Sequence, residues 1–316
     1  MSRTEAPPVL PTEDVDDDRI IELQGLLAEV PGLFPRRGEP LSRHNALRTG
    51  GPADLWVVVD SPAQFAAVTR AASGCSVPIS FDYPLSDRIL KAGGLGGLVI
   101  RPGQGFEQLG WVEASAEAKA EGEEGPLLEI GSACPFARAA GFGGTWAALS
   151  QWPGTPGAWL GGPRWAALSD FIDSIVILRG KTETVLRHED AGRPPEPGPR
   201  ALLKSVRMRA PESLQLHRPP PPTGTLFVRP AKLPGSLSAF LRDTGVVGSR
   251  LRAWRLEPDG TVSQQGGGTA DDLLLFAKAI KSRLHALHGL DPDVFLPVLG
   301  RNPIRRSLRP KKPVTP

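Results

Sequence analysis

The spacing of apolar residues predicts alternating helices and strands from residue 18 onward. Ile20, Leu23, Leu27 and Val30 recur at helical spacing, with Asp18 as the expected N-cap. The stretch 50–102 then reads as strand, helix, strand, loop and strand. This order is typical of the first half of a nucleotide-binding unit.

The strand-to-loop junction PISFDYPLSDRIL (78–90) departs from that expectation. Before this junction, the apolar run around Val57 predicts a strand, and Ser61 as N-cap with Pro62 predicts the start of a helix. After it, the apolar run in GGLVIRPG predicts another strand. A phosphate-binding turn needs glycines here so that the backbone can approach the ligand. The turn instead carries aromatic, acidic and proline residues.

Two further stretches of regular structure follow. Residues 103–213 predict a hairpin, short helical pieces, a second hairpin turning at Gly180-Lys181, and a strand. Residues 214–300 predict a strand in TLFVRP, a helix ended by Gly245, a hairpin through Asp259-Gly260, and a long helix. Thr269 is the expected cap of that helix and Gly289 its end.

Composition narrows the class of protein. The chain has 316 residues and a net charge of +3, with no run of about 18 apolar residues that predicts a membrane helix. Its N-terminus lacks the apolar core of a signal peptide, so the expected location is the cytoplasm. Two cysteines, Cys75 and Cys134, exclude a disulfide framework and a cysteine zinc site. No nucleic-acid-binding motif is present.

Three local features leave alternatives open. Residues 301–316 hold four arginines and two lysines without an acid, so this basic tail either contacts an acidic partner or is a solvated end. The spacing of His285 and His288 suits two ligands of one metal ion, but the sequence shows no third ligand. The alternative is that they are there because the C-terminus of a helix favours histidine. Cys134 stands at the start of a predicted helix. Its side chain is either a reactive thiolate or a small buried apolar group.

Four strings in one order carry a resemblance to a known family. NALRTGGPADLWVVVDSPAQFAAVTRAA (45–72) resembles the opening of the UDP-N-acetylenolpyruvylglucosamine reductase (MurB) family, which reads Asn-Thr-Phe-Arg-Ile-Gly-Gly-Pro-Ala-Asp. WPGTPGA (152–158) resembles its Ile-Pro-Gly-Thr-Val-Gly-Gly, and PPPPTGTLFVRP (219–230) its Pro-x-Ala-Gly-Ser-x-Phe-Lys-Asn-Pro. The stretch 266–300 resembles its closing helix and strand.

The resemblance implies an α+β fold with two FAD-binding subdomains of the PCMH/MurB type and a third, MurB-type α+β domain over the substrate. The predicted bounds are a disordered acidic tail at 1–17, subdomains at 18–102 and 103–213, the third domain at 214–300 and a disordered basic tail at 301–316. The family uses NADPH and FAD to reduce an enolpyruvyl ether on a UDP-sugar in peptidoglycan synthesis.

The family's flavin loops map onto two segments of this chain. Its first loop, Gly-Gly-Gly-Ser-Asn, aligns with Tyr83-Pro84-Leu85-Ser86-Asp87, so that only Ser86 matches and Asp87 places a negative charge where a pyrophosphate is expected. The second loop aligns with Pro153, Gly154, Thr155 and Gly157, followed by Pro163 at an asparagine position. Four tryptophans lie in this region, at 146, 152, 159 and 165. They either stack on a flavin or fill the volume of a lost one, and the missing glycines favour filling.

The family's catalytic residues map onto altered side chains. Its proton-donor serine aligns with Thr225, its closing glutamate with Asp293 and its arginine with Arg200. Three hypotheses follow. The chain is a MurB-like binding or regulatory module without turnover; or it is an active FAD-dependent reductase of UDP-GlcNAc-enolpyruvate; or it binds a UDP-sugar without chemistry. Expected partners are a UDP-sugar or proteins of cell-wall synthesis and division.

Overall fold

The computed structural model describes most of the chain between residues 15 and 301. The described residues are 15–83, 88–113, 126–160, 164–165, 168, 171–187, 200–209, 224–227, 236–292, 294, 296 and 298–301. Both predicted tails therefore lie almost wholly outside the described residues, as do Pro84, Leu85, Ser86, Asp87, Pro163 and Asp293.

Besides four 3₁₀ helices, the described residues form six α-helices and fourteen strands, and none of these helices is long and apolar enough to cross a membrane. The helices are α1 (Asp17–Ala28), α2 (Pro62–Gly74), α3 (Phe136–Ala139), α4 (Pro156–Trp159), α5 (Leu237–Asp243) and α6 (Ala270–His288). The strands are β1 (Arg36–Pro40), β2 (Pro52–Val59), β3 (Ile79–Phe81), β4 (Ile89–Leu90), β5 (Leu95–Pro102), β6 (Leu109–Glu113), β7 (Pro126–Gly131), β8 (Ile172–Arg179), β9 (Thr182–Arg187), β10 (Ala201–Arg209), β11 (Arg250–Leu251), β12 (Trp254–Leu256), β13 (Val262–Gln264) and β14 (Val298–Leu299).

The first sheet has the order β1-β2-β5-β3, with β2, β5 and β3 parallel. Helices α1 and α2 pack on one face because their apolar stripes match it, and the Ser61 cap with Pro62 starts α2 as predicted. The predicted N-cap of α1, Asp18, was wrong. The N-cap is Asp16, whose carboxylate accepts a hydrogen bond from the backbone N–H of Asp18.

The second sheet is antiparallel, with the order β6-β7-β10-β8-β9. Both predicted hairpins are present: β6 pairs with β7, and β8 turns into β9 at Gly180-Lys181. The sheet packs at the carboxyl ends of the parallel strands of the first sheet, since Tyr83 follows β3 and Phe106 follows β5 into one shared core. Ligands of open parallel sheets bind at this edge.

One apolar core runs without a break through both sheets. From the first sheet and its helices it includes Leu23, Phe65 and Leu98, and from the second sheet Ile130 and Leu203. The place where the resemblance puts a cofactor is therefore crossed by packed side chains.

The third unit contains the sheet β11-β12-β13, α5 and α6 around a separate core. Thr269 and Asp272 form a capping box on α6, and Gly289 ends the helix in the left-handed region at φ 64°. β14 returns to pair in parallel with β4 as a separate two-stranded sheet, which ties the unit to the segment between β3 and β5. The predicted strand TLFVRP is seen only in part, as bridges of Thr225 to Thr261 and of Phe227 to Val294.

Candidate functional site

Tyr83 lies two residues beyond β3, at the edge of the sheet where a ligand is expected. Its side chain is buried, with 2% of the residue exposed. The ring lies against the backbone of Gly157 on α4, so closely that a Cβ at Gly157 would be 2.0 Å from the Tyr83 Cδ1 atom. The two positions that align with the family's first and second flavin loops are thus in direct contact.

The Tyr83 hydroxyl binds the backbone of the second sheet. Its oxygen accepts a hydrogen bond from the Leu203 N–H at 3.2 Å. The ladder of β10 with β8 shifts register between Leu203 and Ser205, and the pairing of β10 with β7 begins only at Ser205. The tyrosine therefore satisfies a buried backbone donor at this irregularity.

Burial keeps the Tyr83 phenol neutral. Desolvation raises the pKa of Tyr83 well above its ordinary value, and the hydrogen bond from Leu203 and the charge of Arg88 lower it only in part. A phenol held neutral in an apolar site acts as a packed, hydrogen-bonded side chain.

The backbone of the second loop is already bonded within the protein. Thr155 caps α4, its hydroxyl accepting from the Ala158 N–H at 3.2 Å, and the Gly157 N–H donates to the Ser132 carbonyl at 3.0 Å. The Gly154 carbonyl accepts from the Phe136 N–H, and the Pro153 carbonyl from the Trp159 indole. Two N–H groups at this helix start are thus not directed at a ligand.

The tryptophans of this region form part of the core. Trp152 and Trp159 stack with centroids 5.1 Å apart, and the Phe136 ring lies 4.8 Å from Trp159. Trp152 and Trp159 are 2% and 1% exposed, so neither presents a face to a planar ligand. Trp146 and Trp165 are also buried.

The predicted catalytic residues lie in different elements. Thr225 is buried in the third unit, where it bridges to Thr261, whereas Arg200 is exposed just before β10. Asp293 lies outside the described residues, but its neighbour Val294 pairs with Phe227, two residues after Thr225. The backbone brings the segments of Thr225 and Asp293 together; their catalytic roles stay a prediction.

Sequence reasoning missed an ion pair beside Tyr83. The Asp82 carboxylate, 7% exposed, lies 3.1 Å from the Arg101 guanidinium on β5. The one signal in the sequence that could have indicated this pair is an acidic residue directly after an apolar strand, because a buried carboxylate needs a charged partner. The pairing itself depends on the register that sets Phe81 opposite Ile100 and therefore Asp82 beside Arg101.

Two of the open alternatives now have a structural setting. Cys134 is fully buried, and burial raises the pKa of its thiol, so it is a protonated apolar residue rather than a reactive thiolate. His285 and His288 lie in the last turn of α6, where His288 meets the Phe240 ring edge-on at 5.6 Å.

The residues of the cleft do not fit FAD as placed. A flavin pyrophosphate needs an open backbone approach at the first loop and free N–H donors at the second. The Tyr83 ring covers Gly157, and the Gly157 and Ala158 N–H groups have protein acceptors.

Several of the known proteins that are similar to this chain are UDP-N-acetylenolpyruvoylglucosamine reductases. A UDP-N-acetylenolpyruvoylglucosamine reductase of Anaeromyxobacter sp. is 25% identical over 297 residues, covering 84% of this chain and 88% of the relative. A reductase 2 of Symbiobacterium thermophilum is 24% identical over 315 residues, covering 85% and 93%. The crystal structure of the MurB reductase from Thermus caldophilus matches with a TM-score of 0.62 at 17% identity, covering 84% of this chain and all of that one. No protein-family model matches the chain.

The fold is the α+β, MurB-type FAD-binding fold with a third α+β unit. By sequence, the chain is similar to UDP-N-acetylenolpyruvoylglucosamine reductases, at 25% and 24% identity over most of its length.

Proposed function

We propose that this chain is a MurB-like protein of peptidoglycan precursor synthesis that has lost flavin-dependent turnover and acts as a binding or regulatory module. The contact of Tyr83 with Gly157 carries the proposal, because it closes the cleft in which the fold would hold FAD. The hydrogen bond from Leu203 to the tyrosine and the apolar core through both sheets support it.

The retained third unit indicates what such a module would bind. In a family that acts on a UDP-sugar, a preserved third unit without a flavin site favours recognition of a UDP-sugar without chemistry. Proteins of cell-wall synthesis or division in the cytoplasm are the proposed partners. The pairing that joins the segments of Thr225 and Asp293 is consistent with a retained sugar pocket.

The alternative is an active reductase with Thr225 as the acid and Asp293 and Arg200 as charge partners. It is favoured by one observation, the pairing of Phe227 with Val294, which keeps the Thr225 and Asp293 segments adjacent. It requires that the Tyr83 loop moves aside for FAD, because the cleft as described leaves no room beside Gly157.

One set of assays separates these functions, with the Thermus caldophilus reductase as the positive control. We measure flavin absorbance of the purified protein, NADPH oxidation with UDP-GlcNAc-enolpyruvate, and calorimetry with UDP-N-acetylglucosamine. The proposal predicts a colourless protein with no substrate-dependent NADPH oxidation, and heat on adding the UDP-sugar. Stoichiometric FAD with turnover would overturn it, and no heat with the UDP-sugar would leave protein partners as the ligands.

A further inference from the structure

Asp82 and Tyr83 are neighbours with opposite surroundings. The Asp82 N–H donates to the Ile100 carbonyl at 3.0 Å, which extends the pairing of β3 with β5 by one residue. Beyond this bond the chain turns Tyr83 into the core between the two sheets, while the Asp82 side chain meets Arg101. Asp82 is therefore the last tie to the sheet before the ring that closes the cleft.

Arg101 joins three segments at this point. It donates to the Asp82 carboxylate at 3.1 Å and, at 3.5 Å, to the His44 carbonyl. Arg88, on the far side of the loop, donates weakly to the Phe81 carbonyl at 3.4 Å. Arg88 and Arg101 therefore contact Phe81 and Asp82, the two residues that precede Tyr83.

The Asp82–Arg101 ion pair fixes the conformation of the chain at Asp82 more than it raises the stability of the fold. Burial raises the pKa of Asp82, and the charges of Arg101, Arg88 and His44 lower it only in part. A buried pair of this kind contributes little net stability, but breaking one partner leaves an uncompensated charge. Such a pair is suited to hold one loop conformation against others.

We propose that the Asp82–Arg101 pair is a latch that keeps Tyr83 seated against Gly157 and so holds the cleft closed. The inference rests on the proposed function, because it concerns the regulation of the same cleft. Releasing the pair frees the chain at Asp82, and the Tyr83 side chain then exchanges between the cleft and solvent.

The single tyrosine of this sequence allows a direct test. Protein labelled with fluorotyrosine gives one fluorine resonance, which reports on Tyr83 alone. We compare wild type with Asp82→Asn, Arg101→Met and the milder Arg101→Lys. The control, Asp54→Asn, breaks the Arg301–Asp54 contact of 2.6 Å near the start of β2, at the opposite edge of the sheet.

The latch predicts a second, solvent-exposed resonance in Asp82→Asn and Arg101→Met, with an exposed fraction at least about tenfold above wild type. Arg101→Lys should be intermediate, and Asp54→Asn should match wild type. Folded variants that lose stability in urea yet keep the wild-type resonance would overturn the latch, since the pair would then serve the fold alone. Stoichiometric FAD in the wild type would instead contradict the proposed function, whatever the variants show.

Discussion

The aromatic ring of Tyr83 lies directly on the backbone of Gly157, in a position that no side chain at residue 157 could share. In the resemblance to the MurB family, these two residues align with the first and the second flavin loop, respectively. The contact joins the residue that follows β3 to the backbone at the start of α4.

The first prediction concerns this contact. Gly157→Ala should destabilise the protein by about 3 kcal/mol, at the upper end of overpacking costs, because its Cβ meets the Tyr83 ring. Tyr83→Ala should be costly alone through its cavity, and the double variant should lose less than the sum of the two. Urea denaturation gives the three values.

Gly110→Ala is the matched control, because a Cβ at that position meets nothing within 4 Å. It should cost well under about 1 kcal/mol. Strict additivity of the Gly157 and Tyr83 variants would show that the two residues do not touch.

The second prediction concerns the hydrogen bond from Leu203. Tyr83→Phe keeps the ring but leaves the buried Leu203 N–H without its acceptor, so we expect a loss of about 1–3 kcal/mol in urea denaturation. Amide hydrogen exchange at Leu203 should accelerate more than at Ile130 in the neighbouring strand. Unchanged exchange at Leu203 would mean that another acceptor holds this donor.

The third prediction is the pH dependence of the single tyrosine. Its raised pKa means that the folded state holds the proton more tightly than the unfolded state. The stability it contributes is therefore complete below about pH 10 and is lost above it, by up to about 1.4 kcal/mol per pH unit. Tyrosinate absorbance should appear together with unfolding, as followed by circular dichroism. Tyrosinate in the folded protein near pH 10 would place the ring in solvent.

The fourth prediction concerns the capping box of α6. Burial raises the pKa of Asp272, but hydrogen bonds from Thr269 and Arg252 outweigh it, so the pKa lies below its ordinary value. Asp272→Ala should cost about 1 kcal/mol at neutral pH. Because the lowered pKa makes this contribution depend on the ionised carboxylate, the difference from wild type should shrink as the pH falls below about 4. Denaturation at both pH values measures it, and a cost independent of pH would assign the effect to packing.

Periodicity predicted the elements that pack locally and missed those that depend on distant pairing. Helices α1, α2 and α6 and both hairpins follow from apolar spacing, and cap residues correctly predicted the starts of α2 and α6. β1 escaped because its residues, RRGEP, are mostly exposed and polar. The pairing of β4 with β14 joins two-residue strands that lie far apart in the sequence, and neither strand has a pattern of its own.

The candidate site was predictable as an altered loop but not as a contact. The resemblance aligned Tyr83 with a glycine of the family, and the residue types in this loop predicted that a phosphate would be disfavoured there. That the ring would reach Leu203, 120 residues away, depends on how the two sheets pack. The pairing of Asp82 with Arg101 likewise depends on strand register. The pattern of residues in a single sequence predicts neither the Tyr83–Leu203 hydrogen bond nor the Asp82–Arg101 ion pair.

The most direct measurement is a titration of the purified wild-type protein with FAD, following flavin fluorescence and thermal stability, with the Thermus caldophilus reductase in parallel. With Tyr83 seated on Gly157, we predict no flavin in the purified protein, no saturable binding and no shift in Tm on adding FAD. Stoichiometric, saturable binding of FAD with a raised Tm would contradict the account.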